Sequence, residues 1–211
     1  MKLMIDPAKV HTVLPRVMKA AVRLFVAKGI DGTTTKDIAN ASGVSEGAFY
    51  RHFKGKDELA WFIFSTHVNE FTRELGQRVA EGTEGKEKLR IFIRVCFEAF
   101  ETQRDLFSFL ILSEHRELVR FPADYQHPGH TVLAMIREGQ AKGDYRDLDP
   151  YVGGSMILGA VIRLCVVRLH GGLKEDLRKK TDEVTELLWK ILDPKNGAKE
   201  KRENLDSFPR F

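Results

Sequence analysis

Apolar residues recur at three- and four-residue spacings along nearly the whole chain, and no stretch alternates as a half-buried strand does. The pattern therefore predicts helices, broken where Gly and Pro cluster. Leu14, Val17, Ala21, Leu24 and Phe25 share one face of a first helix over 14–28, which Gly29 stops. Thr34 can cap a second, very short helix reaching about residue 41, with Asp37 returning the bond three residues on. Ser42, Gly43 and Val44 then form a tight turn in which Gly43 takes positive φ, and Ser45 caps a third helix through 53. Two short helices about a four-residue turn make a helix-turn-helix.

Further along, a long helix is expected over 56–79, ended by Gly82 and Gly85, and two apolar-rich helices over 86–102 and 104–118. Residues 119–128 read as loop. Helices follow over 129–142, 149–170 and 173–192, the last two separated by Gly171 and Gly172. The fold class is all-α: an N-terminal three-helix domain over 1–55 and a larger helical domain over 56–192. Residues 193–211 are charged and turn-rich and read as a flexible tail.

Composition sharpens this picture. With 211 residues, 43% apolar and 30% charged, the chain can bury a large core, which excludes disorder as its dominant state. Fourteen Phe against four Tyr and two Trp suit a packed helical interior. The formal charge of +4 is unevenly placed: residues 1–60 hold ten Lys/Arg against six Asp/Glu, and the remainder balances. A basic segment joined to a neutral one points to an anion-binding module, or simply to a solvated face. Cys96 and Cys165 lie far apart in apolar contexts and read as buried thiols in a reducing compartment. Residues 1–20 carry charges and no apolar core of a secretory signal, so a cytoplasmic location is expected. The apolar run 152–169 approaches the length of a membrane span, but Arg163 and Arg168 would each cost about 2.5–3.5 kcal/mol near a bilayer centre. A buried helix is the cheaper reading, and no membrane association is expected.

On the third helix Phe49 and Phe53 form an apolar i, i+4 pair that would face Ala21, Leu24, Phe25, Ile38 and Val44. Glu46, Gly47, Ala48, Tyr50, Arg51 and His52 are left outward, with small residues at 47 and 48 that permit close approach to a groove. The run of Val17, Ala20, Ala21, Leu24, Phe25, Gly29, Thr34, Ile38, Ala39, Ala41, Gly43, Val44, Ser45, Gly47, Phe49, Tyr50, His52, Phe53, Lys56, Glu58 and Leu59 resembles the DNA-binding domain of the TetR family of bacterial transcriptional regulators. That resemblance covers residues 16–60; the rest matches in plan only.

The resemblance implies phosphate contacts by Thr35, Tyr50, His52 and Lys56, the last at a helix N-terminus that itself attracts anions. It places Lys36, Ser45, Glu46, Gly47 and Ala48 at base edges, where Lys can bond guanine and Glu can accept from cytosine N4. Glu46 departs from the neutral or basic residue usual there, and acts either as a base reader or as a partner of the helix dipole. The resemblance further implies a homodimer on a roughly palindromic double-stranded operator and a small-molecule effector held in the larger domain.

Within that larger domain, the apolar residues of 92–112 offer more surface than one face of two helices needs, and Phe97, Phe100, Phe107 and Phe109 among them are candidates to line a pocket for a small apolar or amphipathic effector, or are plain core. Arg163 would anchor the effector's anionic group or pair with Asp182 or Glu183. Gly159, Leu177, Val184, Leu187, Leu188 and Ile191 are the candidate dimer interface. Among His115, His127 and His130, the pair His127 and His130 has a spacing that a zinc site could use, but it has a Pro between its members and no Cys or carboxylate at a matching spacing; no glycine-rich phosphate loop or nucleophile motif occurs, and neither a metal, a cofactor nor an enzyme is expected. The expected function is a DNA-binding regulator, a repressor released by its effector. The rival is a helical ligand- or partner-binding protein whose basic head docks on an acidic protein or an anionic membrane.

Overall fold

The computed structural model describes residues 7–122, 125 and 127–196, with side chains from residue 13 onward. Every regular element among them is helical: α1 (Pro7–Lys28), α2 (Thr35–Ser42), α3 (Glu46–Tyr50), α4 (Lys56–Ala80), α5 (Gly85–Thr102), α6 (Arg104–Leu118), α7 (Pro128–Lys142), α8 (Pro150–Leu169) and α9 (Thr181–Leu192), with a 3-10 turn at Leu177–Lys180. Of the expected tail over 193–211, residues 197–211 lie outside the described residues.

Three element ends differ from the pattern, each for a local reason. Helix α1 continues upstream through Pro15, which forgoes one backbone hydrogen bond without ending the helix. Helix α3 stops at Tyr50, yet the amide of Phe53 still donates to the Phe49 carbonyl at 3.1 Å and keeps Phe53 on the buried side. The helix expected from 173 starts only at the 3-10 turn. There the Asp176 carboxylate accepts from the Arg178 amide and pairs with its guanidinium, a local bond that competes with helix upstream.

Two compact units are present. The first holds the described residues as far as Val68 and, returning to it, residues 103–122. Its core joins Val17, Ala21 and Phe25 of α1, Ile38 of α2, Phe49 of α3, Leu59 and Ile63 of α4, and Phe109 of α6, all buried. Phe109 stacks on Phe25 with ring centres 5.6 Å apart. At the far end of α6 the Arg116 guanidinium pairs with Asp31 at 3.1 Å and with Asp57, joining the α1–α2 loop to the start of α4. The boundary expected at 55/56 therefore falls inside this unit.

The second unit contains the rest of α4 with α5, α7, α8 and α9. Leu89, Phe92, Ile93, Phe97 and Phe100 of α5 form its centre. Tyr145 lies against Gly85 and Gly139, where a Cβ would come within 2.5 and 2.2 Å of its ring, and donates to the Gly85 carbonyl at 2.7 Å. Gly153 and Gly154 let α8 approach Val132, Leu133 and Ile136 of α7. Cys96 and Cys165 are both buried free thiols, and burial pushes the Cys165 thiol up to about 12.

Helix α8 is long and apolar enough to cross a membrane by length and composition, but it is not the wholly buried helix the pattern predicts. Gly153, Gly154, Ile157, Val161 and Cys165 face the core, whereas Tyr151, Val152, Met156, Gly159 and Arg163 are exposed. An all-round apolar sequence gives no moment from which to tell the two faces apart.

The N-terminus of α7 is capped by two imidazoles. His127 Nδ1 accepts from the Gly129 amide at 3.2 Å, and His130 Nδ1 accepts from the His127 amide at 3.3 Å. The rings lie 4.3 Å apart. Burial, and then the neighbouring His130, lower the His127 pKa below 6.5. A base whose folded pKa is depressed stabilises the fold above its unfolded pKa and loses that contribution as pH falls through 6.5 toward the folded value. Calorimetric melting is expected to show His127→Ser gaining on the wild type between pH 7.5 and about 5, because a serine cap does not titrate. A difference independent of pH would contradict this account.

Candidate nucleic-acid interface

The helix-turn-helix is built by local capping. Thr34 Oγ1 accepts from the Asp37 amide and Asp37 accepts from the Thr34 amide, both at 3.0 Å, as the sequence predicts. The Lys28 ammonium, 2.8 Å away, and then the Thr34 groups hold the Asp37 carboxyl down at about 2. Gly43 closes α2 with φ of +65°, its amide donating to Asn40 and that of Val44 to Ala39. Ser45 Oγ accepts from the Ala48 amide at 3.1 Å and starts α3.

This places Phe49 at the bottom of the unit and the rest of α3 on its surface. Glu46 and Gly47 are exposed, Ala48 and His52 are half-buried, and Tyr50 is 52% exposed. A Cβ at Gly47 would meet nothing within 4 Å, so that side of α3 lies open. Lys36 on α2 is also exposed. Thr35 Oγ1 and Tyr50 Oη are 3.0 Å apart and link α2 to α3. Lys56, the first residue of α4, donates to the Asp31 carbonyl at 2.9 Å, so its ammonium is already engaged in the free protein. Thr35, Lys36, Ser45, Glu46, Gly47, Ala48, Tyr50, His52 and Lys56 all belong to this unit. Arg16 was not foreseen: its Nη2 donates to the carbonyls of Ser42 at 2.6 Å and Gly43 at 3.1 Å. An exposed arginine before an apolar run carries no pattern that marks such a bond.

The pocket candidates are not gathered in this way. Phe97 and Phe100 are buried in the second unit, while Phe107 and Phe109 belong to the first. Phe109 is committed to Phe25, and Arg163 is exposed on α8. Asp182 and Glu183, its alternative partners, are taken by Arg90 at 2.6 Å and Lys180 at 3.0 Å. Leu177, Val184 and Leu188 are buried within the single chain, Ile191 is half-buried, and Leu187 and Gly159 are exposed. Among the described residues no group of three or more His, Cys, Asp or Glu is placed to hold a metal ion.

A capped two-helix unit on a buried aromatic anchor, presenting an open helix face flanked by Thr, Tyr and Lys, defines a helix-turn-helix DNA-binding protein. Residues 17–60 match the family described as bacterial regulatory proteins, tetR family. The chain is 40% identical over 161 residues to the uncharacterized HTH-type transcriptional regulator YvkB of Bacillus subtilis, covering 74% of this chain and 83% of that one. It is thus a member of the TetR family. The fatty acid metabolism regulator protein of Bacillus subtilis is 24% identical over 182 residues, covering 82% of this chain and 92% of its own length. By contrast, the 35% identity to the regulator YerO of the same organism spans only 35% of that protein. Among solved structures, the regulator FadR of Bacillus subtilis in complex with stearoyl-CoA superposes with a TM-score of 0.67 at 22% identity, covering 82% of this chain and 96% of that one.

Proposed function

We propose that the protein is a homodimeric repressor that binds a palindromic operator and leaves it when an amphipathic acyl thioester binds the second unit. The observation that carries the reading is the open face of Lys36, Glu46 and Gly47 beside the Thr35–Tyr50 pair. Thr35, Tyr50, His52 and Lys56 would hold phosphates and fix the register. Lys36, Ser45, Glu46, Gly47 and Ala48 would read base edges in the major groove. Two such faces must stand about 34–36 Å apart to meet successive turns of one side of the duplex, which a single chain cannot supply. The exposed apolar face of α8 with Leu187 of α9 supports pairing of two copies there, and gives that face a partner other than a membrane.

The effector class follows from relatives whose names point to fatty acid metabolism and to stearoyl-CoA. Buried Phe97 and Phe100 supply apolar surroundings for an acyl chain. Such a ligand releases DNA only if it binds the DNA-incompetent conformation more tightly, since equal affinity for both states shifts nothing. The protein acts in the cytoplasm, without catalysis and without cofactor.

The test is selection of bound duplexes from a randomised pool at about physiological salt, where phosphate binding alone is weak. Enrichment of a palindrome, and its release by long-chain acyl-CoA but not by free coenzyme A, is the expected result. Failure to enrich any sequence after removal of co-purified ligand would sink the reading. On the enriched duplex, Tyr50→Phe or Lys56→Ala should weaken binding to every sequence, and Lys56→Ala, which removes a charge, should also lower the salt slope by about 1. Lys36→Ala should instead change the preferred base, and an equal loss on all sequences would end its base-reading role.

A further inference from the structure

A helix of five residues cannot set its own direction, because helices shorter than about 12 residues are marginal without outside support. The support for α3 comes from Phe49 below, Ser45 at its start and the turn that delivers it. In that turn the carbonyls of Ile38, Ala39 and Asn40 are all taken locally, by Ser42 Oγ and by the amides of Val44 and Gly43. Ser42 and Gly43 point their carbonyls past the end of α2, and a single atom, Arg16 Nη2, donates to both. The bonds are charge-assisted and lie at a helix C-terminus, where the backbone dipole favours a cation. They tie the turn to α1, a helix of 22 residues packed through the core of the unit.

We propose that Arg16 is a positioning residue for DNA recognition. Held on α1, it fixes the angle between α2 and α3 through the Ser42 and Gly43 carbonyls, and does so without touching the nucleic acid. Base reading requires α3 in one orientation, whereas nonspecific binding requires only positive charge near phosphates. Loss of Arg16 therefore costs discrimination more than it costs affinity for DNA in general.

The test uses the full chain as wild type, Arg16→Gln and Arg16→Lys. The probes are the duplex enriched by the wild type and a scrambled duplex of the same composition, titrated by fluorescence anisotropy over a range of salt. Arg16→Gln should bind the enriched duplex about tenfold more weakly and the scrambled one less than about twofold more weakly, with an unchanged salt slope. Arg16→Lys, which keeps the positive charge on α1 beside the turn, should recover part of the loss. Hydrogen exchange without DNA should quicken over 43–50 in Arg16→Gln and stay unchanged in α1 and α4.

Equal loss on both duplexes with a slope lower by about 1 would overturn the proposal in favour of a direct phosphate contact. Unchanged binding and exchange would overturn it as well, and so would general loss of helix in Arg16→Gln, which would make Arg16 a support of the whole unit. The inference rests on the DNA-binding reading. A wild type that enriches no sequence defeats that reading, while the exchange measurement bears on Arg16 alone.

Discussion

Truncating Phe49 to alanine should abolish DNA binding, although the ring faces away from the proposed duplex. Phe49 is fully buried, with its ring 5.5 Å from that of Tyr50 and 5.9 Å from that of Phe53. Removing a buried Phe costs about 3–5 kcal/mol through lost transfer energy and the cavity left behind. Against the roughly 5–15 kcal/mol that holds a small domain folded, that is a large share. The damage is also local, because α3 has no other apolar anchor within its own length. Urea unfolding followed by circular dichroism should show a lower midpoint, and anisotropy should show no binding to the enriched duplex. A variant that binds within twofold of the wild type would mean that the turn and the Ser45 cap suffice to hold α3.

The second large effect lies in the other unit. Arg168 Nε donates to Glu101 Oε1 at 2.8 Å, with side chains 18% and 4% exposed. The same carboxylate oxygen accepts from the Leu177 amide at 3.1 Å, and Arg168 Nη1 donates to the Leu173 carbonyl at 3.2 Å. This pair joins α5, α8 and the irregular segment that leads to α9. Taking away one member of a buried pair costs about 3–5 kcal/mol, because the remaining charge stays where water cannot reach it. Arg168→Met should therefore lower the unfolding free energy by about that amount. Adding Glu101→Leu should restore part of it, and only part, since the Leu177 amide then loses an acceptor worth about 1–3 kcal/mol. A loss below about 1 kcal/mol in Arg168→Met alone would show that the pair is better hydrated than its burial implies.

Much of this was legible in the sequence because it is local. The capping box of Thr34 and Asp37, the left-handed Gly43 and the Ser45 cap each depend on residues two to four apart, and each is found where the pattern places it. Helix spans were legible for the same reason, from the spacing of apolar positions. Partners distant in the chain were not. Nothing in the run 104–118 says that Phe109 will stack on Phe25 and bring α6 into the first unit. Nor does Lys56 advertise that the carbonyl of Asp31 holds its ammonium. The stripe of α9 shows which residues are buried but not against what, so Leu177, Val184 and Leu188 read equally well as an interface between chains until their burial within one is seen.

Gly43 is constrained twice, by a φ of +65° and by the Arg16 nitrogen 2.6 Å from where a Cβ would stand. Asparagine, which tolerates the left-handed region, satisfies the first demand and meets the second only by pushing the Arg16 guanidinium from its place on the Ser42 and Gly43 carbonyls. The turn is thus a fixed point around which binding specificity can drift. In a library selected for recognition of altered operators, diversity should collect at Lys36, Glu46, Gly47 and Ala48, while glycine is favoured at position 43 in survivors that keep the bonds from Arg16 to the turn.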